Sequence, residues 1–311
     1  MLAGCGGVQS ALQPAGQEAE TVLRLFLGML AGACVIWVAV FGTAVYAMRV
    51  SPQPHREQTA KRFIFWGGIV FPVVTLAGLL TFGIALMPEL RAHGGGLRVA
   101  VSGEQWWWRV TYEPSGGEAP VVSANELRLP VGERVELMLD SPDVIHSLWI
   151  PALGGKLDMI PGRTTRLVLE PTRTGTFRGV CAEFCGESHA LMAFPVVVMD
   201  RAGFDAWIEA RREPARADAA DAAGERLFLQ AGCGGCHSVR GTEARGVIGP
   251  DLTHVGSRLS LGAGILPNDR SSLIRFIRNV EAIKPGALMP SFAMLPDAEV
   301  AAIARYLEGL E

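Results

Sequence analysis

Two long apolar segments lie near the start of the chain. Leu25–Met48 contains 24 residues without a charge, and Phe63–Met87 contains 25. A helix needs about 20 apolar residues to cross a bilayer, so each segment predicts a membrane-spanning helix, and Pro72 is tolerated inside the second. A buried helix of a soluble protein is the alternative, but two such segments joined by a short polar loop favour a helical hairpin.

The loop between the two segments, Arg49–Arg62, is strongly basic. Its basic residues are Arg49, Arg56, Lys61 and Arg62, and its one acid is Glu57. Because cytoplasmic loops carry an excess of Lys and Arg, the charge pattern places this loop in the cytoplasm. Both terminal regions are then expected on the outer side, which in a bacterial inner membrane is the periplasm.

The pattern changes after Leu97 to short runs typical of β-strands, punctuated by Pro and Gly. The runs are "RVAV", "WWWRVTY", "NELRLP", "RVELMLD", "RTTRLVLE", "TGTFRGV" and "MAFPVVVM". Many short strands at this spacing predict a β-sandwich or barrel. The segment between the last two runs, "CAEFCGESHALM", is rich in metal-binding side chains, and His146 is expected to follow a strand upstream.

The cysteine-rich segment offers four soft or borderline metal ligands, Cys181, Cys185, His189 and Met192. A disulfide needs only the two cysteines and leaves the other residues, and His146, unexplained. A blue-copper site uses one cysteine with two histidines and a weak methionine. Two thiolates can instead bridge two copper ions, with one histidine on each. The spacing therefore favours a dinuclear copper site over a Cys181–Cys185 disulfide.

A second redox motif lies near the C-terminus, where "CGGCH" contains Cys233, Cys236 and His237. C-x-x-C-H is the attachment motif of a c-type haem, in which the histidine is aimed at the iron. A methionine sulfur is the expected second axial ligand, and Met289 and Met294 are both candidates.

Met289 is the preferred haem ligand because Pro290 follows it. A residue before proline avoids the helical region, which suits a ligand held in an extended loop. Met294 is expected to pack as an apolar side chain close to the final helix. His254 is expected in a surface loop, although contact with a haem propionate is the alternative.

Several segments resemble a known family. "DVIHSLWIP", "KLDMIPGRTTRL", "CAEFCGESHALM" and "GEQWWWRVTYE" resemble the dinuclear copper (CuA) domain of cytochrome c oxidase subunit II. "GERLFLQAGCGGCHSV", "GPDLTHVGSR" and "ALMPSFAMLPDAEVAAIARYL" occur in the order typical of class I cytochromes c. The resemblance implies a two-helix transmembrane hairpin, a cupredoxin-like Greek-key β-sandwich and an all-α class I cytochrome c.

The resemblance also implies roles for individual residues. The backbone carbonyl of Glu183 is expected to complete the copper ligands, and its side chain to reach a magnesium ion at the border with the catalytic subunit. Trp106 is expected to be the contact through which electrons enter, with plain packing as the alternative. Many relatives carry a carboxylate for proton uptake near the start of the second span, where this chain has Phe65.

The implied organisation has five parts. They are an N-terminal segment (1–20), the helical hairpin (21–90), the CuA domain (97–200), a linker (209–224) and the cytochrome c domain (225–311). "LAGC" ending at Cys5 resembles a lipoprotein cleavage site, with a free thiol as the alternative. The net charge of −3 does not indicate a nucleic-acid partner.

The implied function is that of the electron-receiving subunit of a haem-copper cytochrome c oxidase. Electrons would pass from a donor cytochrome c to the haem c, then to CuA, then to subunit I, where oxygen is reduced and protons are pumped with the other oxidase subunits. Two alternatives stay open: the corresponding subunit of a copper-containing nitric oxide reductase, and a membrane-tethered electron carrier that belongs to no enzyme.

Overall fold

A computed structural model describes residues 6–50, 56–90, 92–114, 116–215 and 222–311. Cys5 lies outside these residues, as does part of the predicted linker. The chain divides into two compact units. One is Thr21–Ala92, and the other contains the rest of the described chain, with both predicted redox sites.

The first unit consists of two long apolar helices. α1 spans Gln17–Arg49, and the second helix runs as α2 (Glu57–Phe65), a π-helical turn (Trp66–Val70) and α3 (Phe71–Leu90). Both are long and apolar enough to cross a membrane, and none of their most apolar 18-residue stretches is buried. The π-helical turn ends just before Pro72, whose ring cannot donate the helical hydrogen bond and clashes with the preceding turn.

A ten-stranded β-sandwich forms the first part of the second unit. Its strands are β1 (Arg98–Glu104), β2 (Trp107–Glu113), β3 (Val121–Ala124), β4 (Leu127–Pro130), β5 (Val135–Asp140), β6 (His146–Trp149), β7 (Leu157–Met159), β8 (Thr165–Leu169), β9 (Gly175–Cys181) and β10 (Ala193–Met199). They form two five-stranded sheets, ordered β3-β2-β1-β5-β8 and β4-β10-β9-β6-β7. The β1–β5 and β4–β10 pairs are parallel, and the other pairs are antiparallel.

The sandwich core comes from residues that alternate along each strand. In β2, Trp108, Val110 and Tyr112 are buried while the residues between them are partly exposed. Trp108 contacts Phe194 of the opposite sheet at a ring distance of 5.0 Å. Such period-two alternation is what a half-buried strand requires. All seven predicted runs contain a strand, whereas the short strands β3, β6 and β7 were not predicted.

A helical domain follows the sandwich. Helix α4 (Arg201–Arg212) is capped at its N-terminus by Asp200, whose side chain accepts a hydrogen bond from the Gly203 amide. The later helices are α5 (Ala222–Gln230), α6 (Arg270–Arg278), α7 (Val280–Ile283) and α8 (Asp297–Glu308). Phe228 of α5 and Tyr306 of α8 are in ring contact in its core. The last helix of this domain therefore packs on its first, and the multidomain fold class is confirmed.

Candidate redox sites

The predicted copper residues come together at one end of the sandwich. Cys181 ends β9, His146 begins β6, and the segment between β9 and β10 carries the other candidates. His146 was expected after a strand, but it is the first residue of one. Its side chain is fully buried because β6 lies inside the second sheet, between β7 and β9.

The ligand atoms of these residues converge. The Sγ atoms of Cys181 and Cys185 are 3.7 Å apart, too far for a disulfide bond and close enough to share metal ions. His146 Nδ1 lies 3.8 Å from Cys181 Sγ, and His189 Nδ1 lies 3.6 Å from Cys185 Sγ. Met192 Sδ lies 3.9 Å from Cys185 Sγ. Two thiols, two imidazole nitrogens and one thioether form a donor set suited to copper.

Glu183 faces the sulfur cluster with its backbone and not with its side chain. Its carbonyl oxygen lies 3.2 Å from Cys181 Sγ, at the edge of the sulfur cluster. The carboxylate points elsewhere and lies 3.6 Å from Lys156 Nζ on the partly exposed surface. The carbonyl oxygen thus lies beside the sulfur atoms, as expected, while the carboxylate is engaged by a lysine.

The two thiols do not ionise alike. The pKa of Cys181 is lowered, chiefly by its hydrogen bond with Cys185. The pKa of Cys185 is raised by that same hydrogen bond and by burial. One thiolate therefore forms readily in this site, as the first metal–sulfur bond requires.

Asp143 orients His146, a role that was not predicted from the sequence. Its carboxylate lies 2.9 Å from His146 Nε2, so Nε2 carries the proton and Nδ1 is free to face Cys181. Carboxylates that orient ligand histidines are the usual second layer of metal sites. Gly103 makes room for the ring, since a Cβ at this position would lie 3.0 Å from His146 Cγ.

A cavity of about 690 Å³ contains the predicted haem residues. Cys233, Cys236, His237 and Met289 all line it, and Met294 does not. Most of the other lining residues are apolar, as a haem requires. Met294 is 75 % exposed and its side chain lies in solvent, so the prediction that it packs as an apolar side chain is wrong.

The hydrogen bond and the burial of His237 suit an axial haem ligand. Its Nδ1 lies 2.8 Å from the Pro250 carbonyl oxygen. A carbonyl only accepts hydrogen bonds, so Nδ1 carries the proton and Nε2 remains free for iron. Burial lowers the pKa of His237, which keeps the imidazole neutral. The residues present therefore fit a c-type haem.

His254 does not lie in a surface loop, which corrects the expectation. It is buried, and its Nε2 lies 3.1 Å from both Arg240 Nη2 and the Glu213 carbonyl oxygen. It is not among the residues that line the haem cavity. The end of α4 and the residue after it lie over this loop, since Arg211 donates to Ser257 Oγ and the Glu213 carbonyl oxygen lies against His254.

Trp106 connects the two sites. It is 6 % exposed, its Nε1 donates to the Cys185 carbonyl oxygen at 3.1 Å, and its ring lines the haem cavity. Asp143 also lines this cavity while it holds His146. Trp106 and Asp143 therefore both line the cavity and contact residues of the predicted copper site directly.

Comparisons with known proteins agree with this architecture. A family described as the periplasmic domain of cytochrome c oxidase subunit II matches residues 115–200, and the cytochrome c family matches residues 222–311. Cytochrome c oxidase subunit 2 of Alkalihalophilus pseudofirmus is 32 % identical over 332 residues, which cover 100 % of this chain and 94 % of that protein. The Bacillus subtilis protein of the same name is 30 % identical over 342 residues, covering the same shares.

Among solved structures, the periplasmic domain of subunit II of cytochrome oxidase from Bradyrhizobium japonicum is 32 % identical. It covers 37 % of this chain and 93 % of that chain, with a TM-score of 0.35. The fold and the matched domains define a membrane-anchored redox subunit of a haem-copper oxidase. More particularly, the chain belongs to the cytochrome c oxidase subunit II family and carries a fused cytochrome c domain. Copper and haem c are the cofactors that its domains imply, and subunit I is the implied partner.

Proposed function

We propose that this subunit receives electrons from a donor cytochrome c at its own haem c and passes them through a dinuclear CuA centre to subunit I. Oxygen reduction and the coupled proton pumping take place outside this chain. The observation that carries the proposal is the shared cavity. Its walls hold the C-x-x-C-H residues on one side, and Trp106 and Asp143 of the copper-binding domain on the other.

Six residues would hold the copper centre. They are His146, Cys181, Cys185, His189 and Met192 by their side chains, and Glu183 by its carbonyl oxygen. Support comes from the convergence of their atoms: the ligand atoms of His146, Cys181 and Cys185 all lie within 4.8 Å of one another. A bridged copper pair supplies one-electron transfer with little structural change. The chain contributes by holding the ligands rigidly, since His146, Cys181 and Cys185 are buried between strands.

Four residues would hold the haem. Cys233 and Cys236 would form the thioether links, and His237 and Met289 would be the axial ligands. The 3-10 turn Cys233–Gly235 presents the first cysteine, and the His237 amide donates to the Cys233 carbonyl oxygen at 3.0 Å. This turn fixes the direction of the histidine relative to the two thiols.

Trp106 has a revised place in the proposal. A donor protein cannot touch a side chain that is buried beneath the haem domain, so Trp106 is assigned to the step between the haem and the copper site. The donor would dock on the haem domain instead. Near the cavity mouth that domain exposes Val247, Ile248 and Leu288, which are 72 %, 62 % and 85 % exposed.

Topology and the magnesium site remain predictions. A bacterial cell membrane with two spans and periplasmic redox domains agrees with the basic loop between the apolar helices. The domain boundaries given above are retained, although α4 extends through the start of the predicted linker and α5 begins at Ala222 before its end. Magnesium at Glu183 rests on the resemblance, since the carboxylate here pairs with Lys156.

The test is the order of reduction in the purified oxidase complex. Reduced cytochrome c is mixed rapidly with the complex, and the haem and copper absorption bands are followed in time. We expect the haem to be reduced first and the copper afterwards. In Cys185→Ser, the haem is still reduced but passes on no electron. Equal copper reduction in a variant that lacks the haem, Cys233→Ala with Cys236→Ala, would contradict the proposal.

A further inference from the structure

Lys284 is an unusual residue for its position. The chain has only three lysines, Lys61, Lys156 and Lys284, among 28 basic residues. Lys284 follows α7 and is 4 % exposed, whereas the side chains of the other two are 72 % and 46 % exposed. Lysine is almost never fully buried without a specific partner. Its burial therefore asks for an explanation.

The ammonium group of Lys284 contacts two backbone carbonyls. Nζ donates to the Gly262 carbonyl oxygen at 2.6 Å and to the Leu191 carbonyl oxygen at 3.0 Å. Gly262 belongs to the haem domain. Leu191 ends the 3-10 turn His189–Leu191, which begins with one proposed copper ligand and is followed directly by another, Met192. One side chain thus ties the haem domain to the turn that joins His189 to Met192.

Neighbouring contacts join the same two segments. The Ala193 amide donates to the Ala263 carbonyl oxygen at 3.0 Å, and Ser188 Oγ donates to the Pro285 carbonyl oxygen at 2.7 Å. Residues 188, 191 and 193 all lie on the segment that carries the proposed copper ligands, and their partners Pro285, Lys284 and Ala263 belong to the haem domain. Lys284 also lines the haem cavity. Lys284 therefore lies at the contact between the haem domain and the copper-binding domain, which we call the seam.

A role in stability alone does not explain this lysine. Within the described part of the chain, no carboxylate forms an ion pair with Lys284. Burial lowers its pKa to about 7, the direction expected for a cation taken out of water, and a charge interaction with Cys185 only partly opposes this shift. An apolar residue of similar volume would serve a purely structural role at lower cost.

We propose that Lys284 is a positioning residue that fixes the haem domain on the copper-ligand turn and so sets the separation of the two redox sites. This inference rests on the proposed function. The hydrogen bonds to Leu191 and Gly262 act on the backbone, so they locate the turn itself, whatever side chains it carries. Their loss loosens the seam without removing any proposed ligand.

The first test is hydrogen–deuterium exchange in the purified complex. The Ala193 amide bonds across the seam, so its protection reports on separation of the domains. In Lys284→Met, we expect this protection to fall about tenfold, which corresponds to about 1.4 kcal/mol. Protection of Val196 and Val198, which lie within the sheet, should not change. The matched control is Lys156→Met, because Lys156 Nζ donates to the Ala182 carbonyl oxygen inside the copper-binding domain alone.

The second readout is the rate of electron transfer from haem to copper after rapid reduction of the haem. It should fall in Lys284→Met while the haem absorption and the copper EPR spectrum stay unchanged. Lys284→Gln, which keeps a shorter donor, should give a smaller loss. Unchanged protection of Ala193 would overturn the inference, and so would loss of haem in both variants, which would mark Lys284 as a folding residue. If the wild type itself shows no haem-to-copper transfer, the proposed function fails, and the exchange experiment still decides the role of Lys284.

Discussion

Replacing Gly249 by alanine tests how the chain holds the haem-site histidine. A Cβ at position 249 would lie 2.6 Å from His237 Cε1 and 2.9 Å from Nδ1. Carbon atoms in ordinary contact are about 3.5–4.0 Å apart. The imidazole must therefore move by roughly 1 Å, because the backbone on the other side of the contact is fixed by the Gly249 amide, which donates to Cys236 O at 2.8 Å.

This displacement breaks the hydrogen bond that orients His237. Nδ1 lies 2.8 Å from the Pro250 carbonyl oxygen, and a shift of about 1 Å takes the pair beyond hydrogen-bond distance. A buried bond of this kind contributes about 1 kcal/mol. The bond makes the imidazole a stronger donor to a metal and so favours the ferric state. If its full contribution distinguishes the two oxidation states, the haem potential rises by about 40 mV.

The assay is a redox titration of the haem absorption band in the purified complex. Gly235→Ala is the matched control, because it lies in the same haem-binding loop and a Cβ there would meet no atom within 4 Å. We expect Gly249→Ala to raise the potential and Gly235→Ala to leave it unchanged. An unshifted potential in Gly249→Ala, or an equal shift in both variants, would refute the reasoning.

Three further predictions concern other positions of the chain. Gly103→Ala crowds the His146 ring and should weaken copper binding about tenfold in chelator competition, with the haem spectrum intact; unchanged affinity would contradict this. Met289→Ala should remove the sulfur-to-iron band and lower the haem potential, whereas the exposed Met294→Ala should keep the band, and the reverse result would exchange the ligands. Burial lowers the pKa of His254, so the unfolded chain takes up the proton more readily, and the free energy of unfolding falls as the pH drops below 6.5. His254→Gln should make that decline less steep in denaturant titrations. An equally steep decline in the variant would exclude this histidine as its source.

The local parts of the architecture could be predicted from the sequence. Apolar length indicated the two helices, strand alternation indicated the sandwich, and the four-residue spacing of Cys181, Cys185 and His189 indicated a metal site. Each of these signals depends on neighbouring residues alone, which is why it survives in a one-dimensional pattern. The link from this segment to His146 came from the ligand plan of blue-copper sites, and the structure brings the two together across the second sheet.

The contacts that orient the ligands could not be predicted in the same way. Gly103 faces His146 across 43 positions of sequence, and Lys284 reaches Leu191 across 93. No periodicity connects such pairs. Asp143 was the exception that could have been found, since it stands three residues before His146 and a carboxylate at that distance is a plausible partner for its ring. The rarity of lysine in an arginine-rich chain was the one available signal for Lys284.

The burial of Trp106 shows that the docking of the haem domain could be learned only from the three-dimensional structure. Its motif predicts an exposed contact, and in the copper-binding domain alone its ring would lie at the surface that the haem domain now covers. The covering segment includes Gly286, where a Cβ would lie 2.7 Å from the Trp106 ring. A composition typical of a linker indicates that two domains are tethered, but it does not indicate which surfaces of the two domains are in contact.

The seam between the two domains is built mainly on main-chain oxygen atoms. Arg109 donates to the Val247 carbonyl oxygen at 2.9 Å, and Lys284 donates to Leu191 at 3.0 Å. Trp106 donates to the Cys185 carbonyl oxygen on the same copper-ligand segment, whose Glu183 carbonyl borders the sulfur atoms. The backbone that shapes the proposed copper site is therefore also the surface on which the haem domain docks. A shift of that backbone changes both the geometry of the proposed copper ligands and the distance between the two sites. The fused haem domain is therefore fixed in position relative to the copper ligands, beyond the proximity that its linker provides.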